Sequence, residues 1–121
     1  MTVQQAISYL DSVKPNAFPL EVKLRWLGGI EGRLAAEVFL MAPEEVEARC
    51  AFTEADLTKE LLAGLPYDDL YTWYLQAQVD LHNGEYDRAR NTMAVFNAAW
   101  TAFVCWFCQR YDPAQGYEEA T

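Results

Sequence analysis

The chain has 121 residues, 52% apolar and 14% aromatic, enough to fill the core of one domain but not of two. Its 18 acidic residues against 9 basic ones give a formal charge of −9. That excludes a broad grip on nucleic-acid phosphates, where Lys and Arg must displace counterions, and attraction to an anionic membrane surface.

Thr2 followed by Gln5 reads as a capping box. Apolar residues then recur at Val3, Ala6, Ile7, Leu10 and Val13, the spacing of one helix face. Lys14-Pro15-Asn16 stops this helix, because Pro disfavours helical backbone in the residue before it. A second helix opens with Pro19 at its first position and carries Leu20, Leu24, Leu27, Ile30, Leu34, Val38 and Met41. Gly28, Gly29 and Gly32 lie inside it, each costing about 1 kcal/mol of helix propensity relative to Ala. They imply a kink, a break into two helices, or another helix packed close by.

Residues 42–69 hold eight acids against two bases and are punctuated by Pro43, Gly64 and Pro66. They read as a connection with one or two short helices, one of them starting at Thr53–Asp56 and carrying Leu57, Leu61 and Leu62. Tyr67-Asp68-Asp69 opens the next helix, with acids placed to complement its dipole. Its apolar stripe is Leu70, Tyr71, Tyr74, Ala77, Gln78 and Leu81, with Trp73 beside it. His82-Asn83-Gly84 ends it, Gly84 taking the left-handed position. In the final helix Ala89, Met93, Phe96, Trp100, Phe103 and Phe107 are spaced 4, 3, 4, 3 and 4, nearly a perfect heptad. Asp112-Pro113 ends this helix. No strand alternation occurs.

These elements predict an all-α fold: a single domain over residues 1–112, a bundle of four to five helices with a long C-terminal helical hairpin packed on the second helix. Residues 113–121 are expected to form a loose acidic tail. The first ten residues lack the features of a secretory signal. The most apolar stretch, Met93 to Cys108, is interrupted by Asn97 and Thr101 and is short for a bilayer span. A soluble intracellular protein is expected.

Candidate chemistry is sparse. Cys105-Trp106-Phe107-Cys108 is a C-x-x-C, but a redox pair wants a helix N-terminus to lower the thiol pKa, and this pair lies near a helix C-terminus. Cys50, His82, Cys105 and Cys108 could supply the four ligands of a zinc site, yet only one close pair has ligand spacing. Gly28-Gly29-x-x-Gly32 lacks the strand and the Lys of a phosphate loop, and no nucleophile–base set stands out. No catalytic residue, metal or cofactor is expected. The hairpin turn holds a denser polar set: Asp80, Asn83, Glu85, Arg88, Asn91 and Asn97. Asp80 and Arg88 flank Gly84 and are placed to meet, either as a surface pair or, the reading preferred here, in a partly buried network that fixes the hairpin angle. Val95, Val104 and Trp106 point off the heptad stripe, so either the domain's other elements or another subunit must cover them.

Two segments resemble a known family. One is Lys14-Pro15-Asn16 with Lys23-x-Arg25-Trp26-Leu27 and Ile30-Glu31-Gly32-Arg33. The other is Tyr67-Asp68-x-Leu70-Tyr71-x-x-Tyr74-Leu75-x-Ala77, Asp80-x-x-Asn83-x-Glu85-x-x-Arg88, Asn91 and Phe96-Asn97. They resemble small proteins of prophages and tailed phages of Gram-positive bacteria, similar to head–tail connector (adaptor) proteins. Gly28-Gly29 departs from that pattern. The resemblance implies a structural subunit in a homo-oligomeric ring that contacts virion proteins such as portal or tail-completion proteins. It would be found in the bacterial host cytoplasm during assembly and then in the virion. A weaker likeness to one tetratricopeptide repeat is a shared hairpin geometry only. The rival reading is a helical adaptor or regulatory module that takes one partner helix in a groove.

Overall fold

The computed structural model describes residues 1–111. It is an all-α single small domain: α1 Val3–Val13, α2 Leu20–Arg33, α3 Pro43–Cys50, α4 Asp69–His82 and α5 Tyr86–Tyr111. Among the described residues the only β pairing is an isolated bridge between Thr2 and Glu60. The predicted tail, residues 113–121, lies outside the described residues.

The capping box at α1 forms in both directions, Gln5 N donating to Thr2 Oγ1 at 3.1 Å and Thr2 N to Gln5 Oε1 at 2.9 Å. Val3, Ala6, Ile7 and Leu10 are buried beneath it. Pro19 is the N-cap of α2 rather than its first helical residue, in extended backbone with φ −67° and ψ 157°. Gly28 and Gly29 do not break α2. A Cβ at Gly28 would lie 2.3 Å from the Cys50 carbonyl oxygen, so the end of α3 sits on α2's backbone there, whereas a Cβ at Gly29 meets nothing within 4 Å. Of the three outcomes the glycines allowed, close packing is the one realised, and it concerns Gly28.

The expected continuation of α2 to Met41 is corrected. Leu34–Val38 is a wider π turn, in which Phe39 N donates to Leu34 O at 3.0 Å, five residues back. Leu40 then takes φ +56° and stops the helix. In the connection, the Thr53–Asp56 capping box encloses only a single turn, Glu54–Asp56. It does not carry Leu57, Leu61 and Leu62 as a helix. Instead that segment pairs with the start of the chain: Val3 N donates to Lys59 O at 3.0 Å, Gln4 N to Leu57 O at 2.9 Å, and Leu61 N to Met1 O at 3.0 Å.

Helix α4 is the centre of the bundle, since α1, α2 and α5 each pack against it. Its burial is therefore wider than one stripe: Leu70, Tyr71, Thr72, Leu75, Ala77, Val79 and Asp80 are buried, while the predicted stripe member Leu81 is exposed. Gly84 has φ +79°, as its C′ position demands. The heptad of α5 faces inward, with Ala89, Phe96 and Phe103 buried and Met93, Trp100 and Phe107 partly buried. The hairpin was expected to pack on α2 as a unit; in fact α2 packs on α4, and α5 is reached mainly from α2's far end. There Arg33 lies 4.6 Å over the Trp100 ring, and Phe39 lies 4.8 Å from Phe107. Burying each large apolar side chain in this core contributes roughly 1.5–3 kcal/mol.

Candidate functional site

The hairpin turn holds a buried charge with a partner the sequence reading did not assign. Asp80 is 1% exposed. Lys14 Nζ, at the end of α1, donates to both Asp80 carboxylate oxygens at 2.7 Å. The Asp80 carbonyl accepts from Glu85 N at 2.9 Å, and Thr92 Oγ1 stands 3.5 Å from the carboxylate. Arg88 does not meet Asp80. It is exposed and pairs with Glu85 one turn away at 3.0 Å. The cause is helical phase: Ala89 is the α5 residue that turns inward here, and Arg88 projects to solvent. Asn83 serves through its backbone, N–H to Val79 O at 3.0 Å, while Asn91 and Asn97 are exposed on α5. The buried group at Asp80 is tied chiefly to Lys14 at the end of α1, and α5 reaches it through the longer Thr92 contact rather than through Arg88.

A second buried polar group was missed. Glu31 on α2 is fully buried. Its Oε1 accepts from Tyr71 Oη at 2.6 Å and its Oε2 from Leu62 N at 2.8 Å, while Tyr71 Oη accepts from Ala63 N at 2.8 Å. Burial raises the Glu31 carboxyl above its ordinary range, only partly offset by the Tyr71 and Leu62 hydrogen bonds and by Arg49 and Lys59. Burial also raises the Tyr71 hydroxyl, and the neighbouring Glu31 adds to the effect. Both acceptor oxygens of Glu31 are used on donors of its own chain, so this group holds the 61–63 segment between α2 and α4. One signal was present in the sequence: Glu31 lies four residues after Leu27 and three before Leu34, on the apolar stripe of the helix.

Among the described residues no three His, Cys, Asp or Glu side chains converge as a metal site would need. Cys105 and Cys108 are exposed on α5, and Cys50 is buried, its thiol raised first by that burial. His82 lies with its ring centroid 4.9 Å from Trp26, and its Nδ1 is 2.8 Å from Gln78 O. No helix among the described residues is long and apolar enough to cross a membrane.

A half-open apolar cleft of about 170 Å³ lies at the end of the hairpin away from the turn, lined by Phe39, Leu62, Gly64, Leu65, Phe103, Trp106 and Phe107. Leu65 is 87% exposed, and Leu40, next to Phe39, is 79% exposed. Of the three residues singled out on α5, Val95 is exposed, Val104 is half-buried, and Trp106 forms part of the cleft wall, its ring 5.2 Å from Tyr67 and 5.9 Å from Phe103. Leu65 lies in loop sequence with no periodicity, and Leu40 falls within the predicted second helix but off its apolar stripe, so nothing in the chain's pattern marked either as an exposed apolar site.

No family model matches this sequence, and neither a curated protein nor a solved structure matches it.

Proposed function

We propose that this chain is a structural subunit of a phage or prophage head–tail junction, acting in a homo-oligomeric ring through contacts with its own copies and with neighbouring virion proteins. The observation that carries this reading is the pair of large apolar side chains, Leu40 and Leu65, left in solvent beside an apolar cleft. Exposed apolar clusters of this kind mark surfaces that another macromolecule covers. The resemblance of the α2 and α4–α5 segments to connector proteins supplies the biological setting. The acidic charge suits a subunit near a DNA passage, which should not hold phosphates.

The adaptor reading is weaker, because the cleft has room for about one aromatic ring rather than for the face of a partner helix. The test is to mix the purified chain with portal rings from the same gene block and image the product. Ring density stacked on the portal is expected, and a chain that never associates with portal or tail-completion proteins overturns the proposal.

A further inference from the structure

Cysteine is among the most buried of residue types, and where it is kept, its reactivity decides more often than its packing. This chain buries Cys50 but leaves Cys105 and Cys108 free and exposed on α5. The exposed pair is three residues apart. At about 100° per residue, the two lie about 60° from one another around the helix axis, on adjoining turns of one face. Phe103, which is buried, points the other way, about 140° from Cys108 and about 160° from Cys105. The thiols therefore stand on the outer surface of the hairpin. Their neighbours on the preceding turns of that face are short: Ala98 and Thr101 are exposed as well. No charged side chain or imidazole occurs on α5 between Arg90 and Arg110.

The pair thus offers two soft donors and no hard one. Thiolate sulfur selects Cu(I), zinc and iron–sulfur clusters over hard cations. Structural zinc and iron–sulfur clusters take four protein ligands, and among the described residues no three His, Cys, Asp or Glu side chains converge. That leaves the ion that two sulfurs can satisfy. Cu(I) forms stable two-coordinate bis-thiolates. Residues three apart on a helix have Cβ atoms about 5–6 Å apart, so two thiolates can reach in from either side and close on one ion.

We propose that Cys105 and Cys108 chelate a single Cu(I) ion as a two-coordinate bis-thiolate on the exposed face of α5. Binding forms two S–Cu bonds and releases the two thiol protons, and copper stays Cu(I) throughout. The chain's charge of −9 favours the approach of a cation. The site lies within one chain and is independent of the head–tail reading.

The test uses the intact chain, reduced and freed of reductant under anaerobic conditions, and titrated with Cu(I) held by the chelator bicinchoninate. Wild type should withdraw one Cu(I) per chain, with a thiolate-to-copper charge-transfer band in the ultraviolet and two sulfur neighbours by X-ray absorption. Cys105→Ser and Cys108→Ser change exposed positions, and each should lose this uptake while circular dichroism stays that of wild type. The double variant Cys108→Ser with Arg110→Cys keeps two thiols on α5 but sets them about 140° apart around the axis, so it should lose the uptake too. The proposal is overturned if wild type leaves all copper with bicinchoninate, or if either single variant or the split pair takes up copper like wild type. It is also overturned if one ion is held per two chains, or if equimolar zinc displaces Cu(I).

Discussion

Glu31 on α2 and Tyr71 on α4, forty residues apart, share a 2.6 Å hydrogen bond in the buried core. The Tyr71 hydroxyl passes the connection on to Ala63, and the other Glu31 oxygen holds Leu62. Three separate parts of the chain are thereby fixed to one carboxyl group, which makes no salt bridge among the described residues.

This arrangement sets a pH dependence. Burial raises the Glu31 carboxyl in the folded state, so the native chain binds its proton more tightly than the unfolded chain. The stabilisation from Glu31 is then fully present below the ordinary carboxylate range and is lost as pH rises through the raised value. Glu31→Gln cannot titrate, and it offers one acceptor where two are needed, so it should cost about 1–3 kcal/mol. Urea unfolding across a pH series checks this: the margin of wild type over Glu31→Gln should shrink as pH rises from acid towards neutral.

The Lys14–Asp80 pair predicts an asymmetry. Lys14→Met leaves the Asp80 carboxylate buried without its cation, which should cost about 3–5 kcal/mol. Asp80→Asn should cost less, since Lys14 is one-fifth exposed and can turn its ammonium to water. Arg88→Ala, which removes an exposed pair within α5, should stay within about 0.5 kcal/mol of wild type. Chemical denaturation of the three variants checks the order.

Gly28 and Gly29 are adjacent but should respond oppositely to alanine. Gly29→Ala gains helix propensity and meets nothing, so it should stabilise by about 0.5–1 kcal/mol. Gly28→Ala drives a methyl into the Cys50 carbonyl 2.3 Å away and must push α3 off α2, so it should lower Tm despite the same propensity gain. Thermal melts of the two variants decide it.

Leu40 holds φ +56° with a branched side chain in solvent. Left-handed backbone costs a non-glycine residue roughly 1–2 kcal/mol, so Leu40→Gly should raise stability modestly. If Leu40 belongs to the surface beside the cleft that partners cover, the same variant should weaken association. Tm and sedimentation measured on one preparation separate the two effects.

Much of the architecture was legible because it rests on local rules. The Thr2–Gln5 box, the Gly84 stop and the inward heptad from Ala89 to Phe107 each follow from interactions a few residues apart. The errors came where distant parts of the chain decide. Leu81 is exposed although it lies on the predicted stripe, whereas Val79 and Asp80 just before it are buried, so the covered face of α4 is not the one the spacing drew. Arg88 was matched to Asp80 by sequence proximity, yet Lys14 arrives from α1 along a path that no local pattern encodes. Leu61 and Leu62 keep their apolar character but answer to the start of the chain and to Glu31 rather than to a helix. Glu31 shares the spacing of the buried stripe, but its partners, Tyr71 and the 61–63 segment, come from distant parts of the chain.

The π turn at Leu34–Val38 gives the cleft a dependence on chain length. Each α-helical residue advances the side chains by about 100°, so one residue of slack rotates all that follows by that amount. Phe39 reaches Phe103 and Phe107 in this rotated frame. Removing a single residue between Leu34 and Val38 would leave the composition almost untouched while swinging Phe39 away from α5. The wall of the cleft is therefore tuned by counting as well as by chemistry, and a related chain one residue shorter here would present a different socket from nearly the same amino acids.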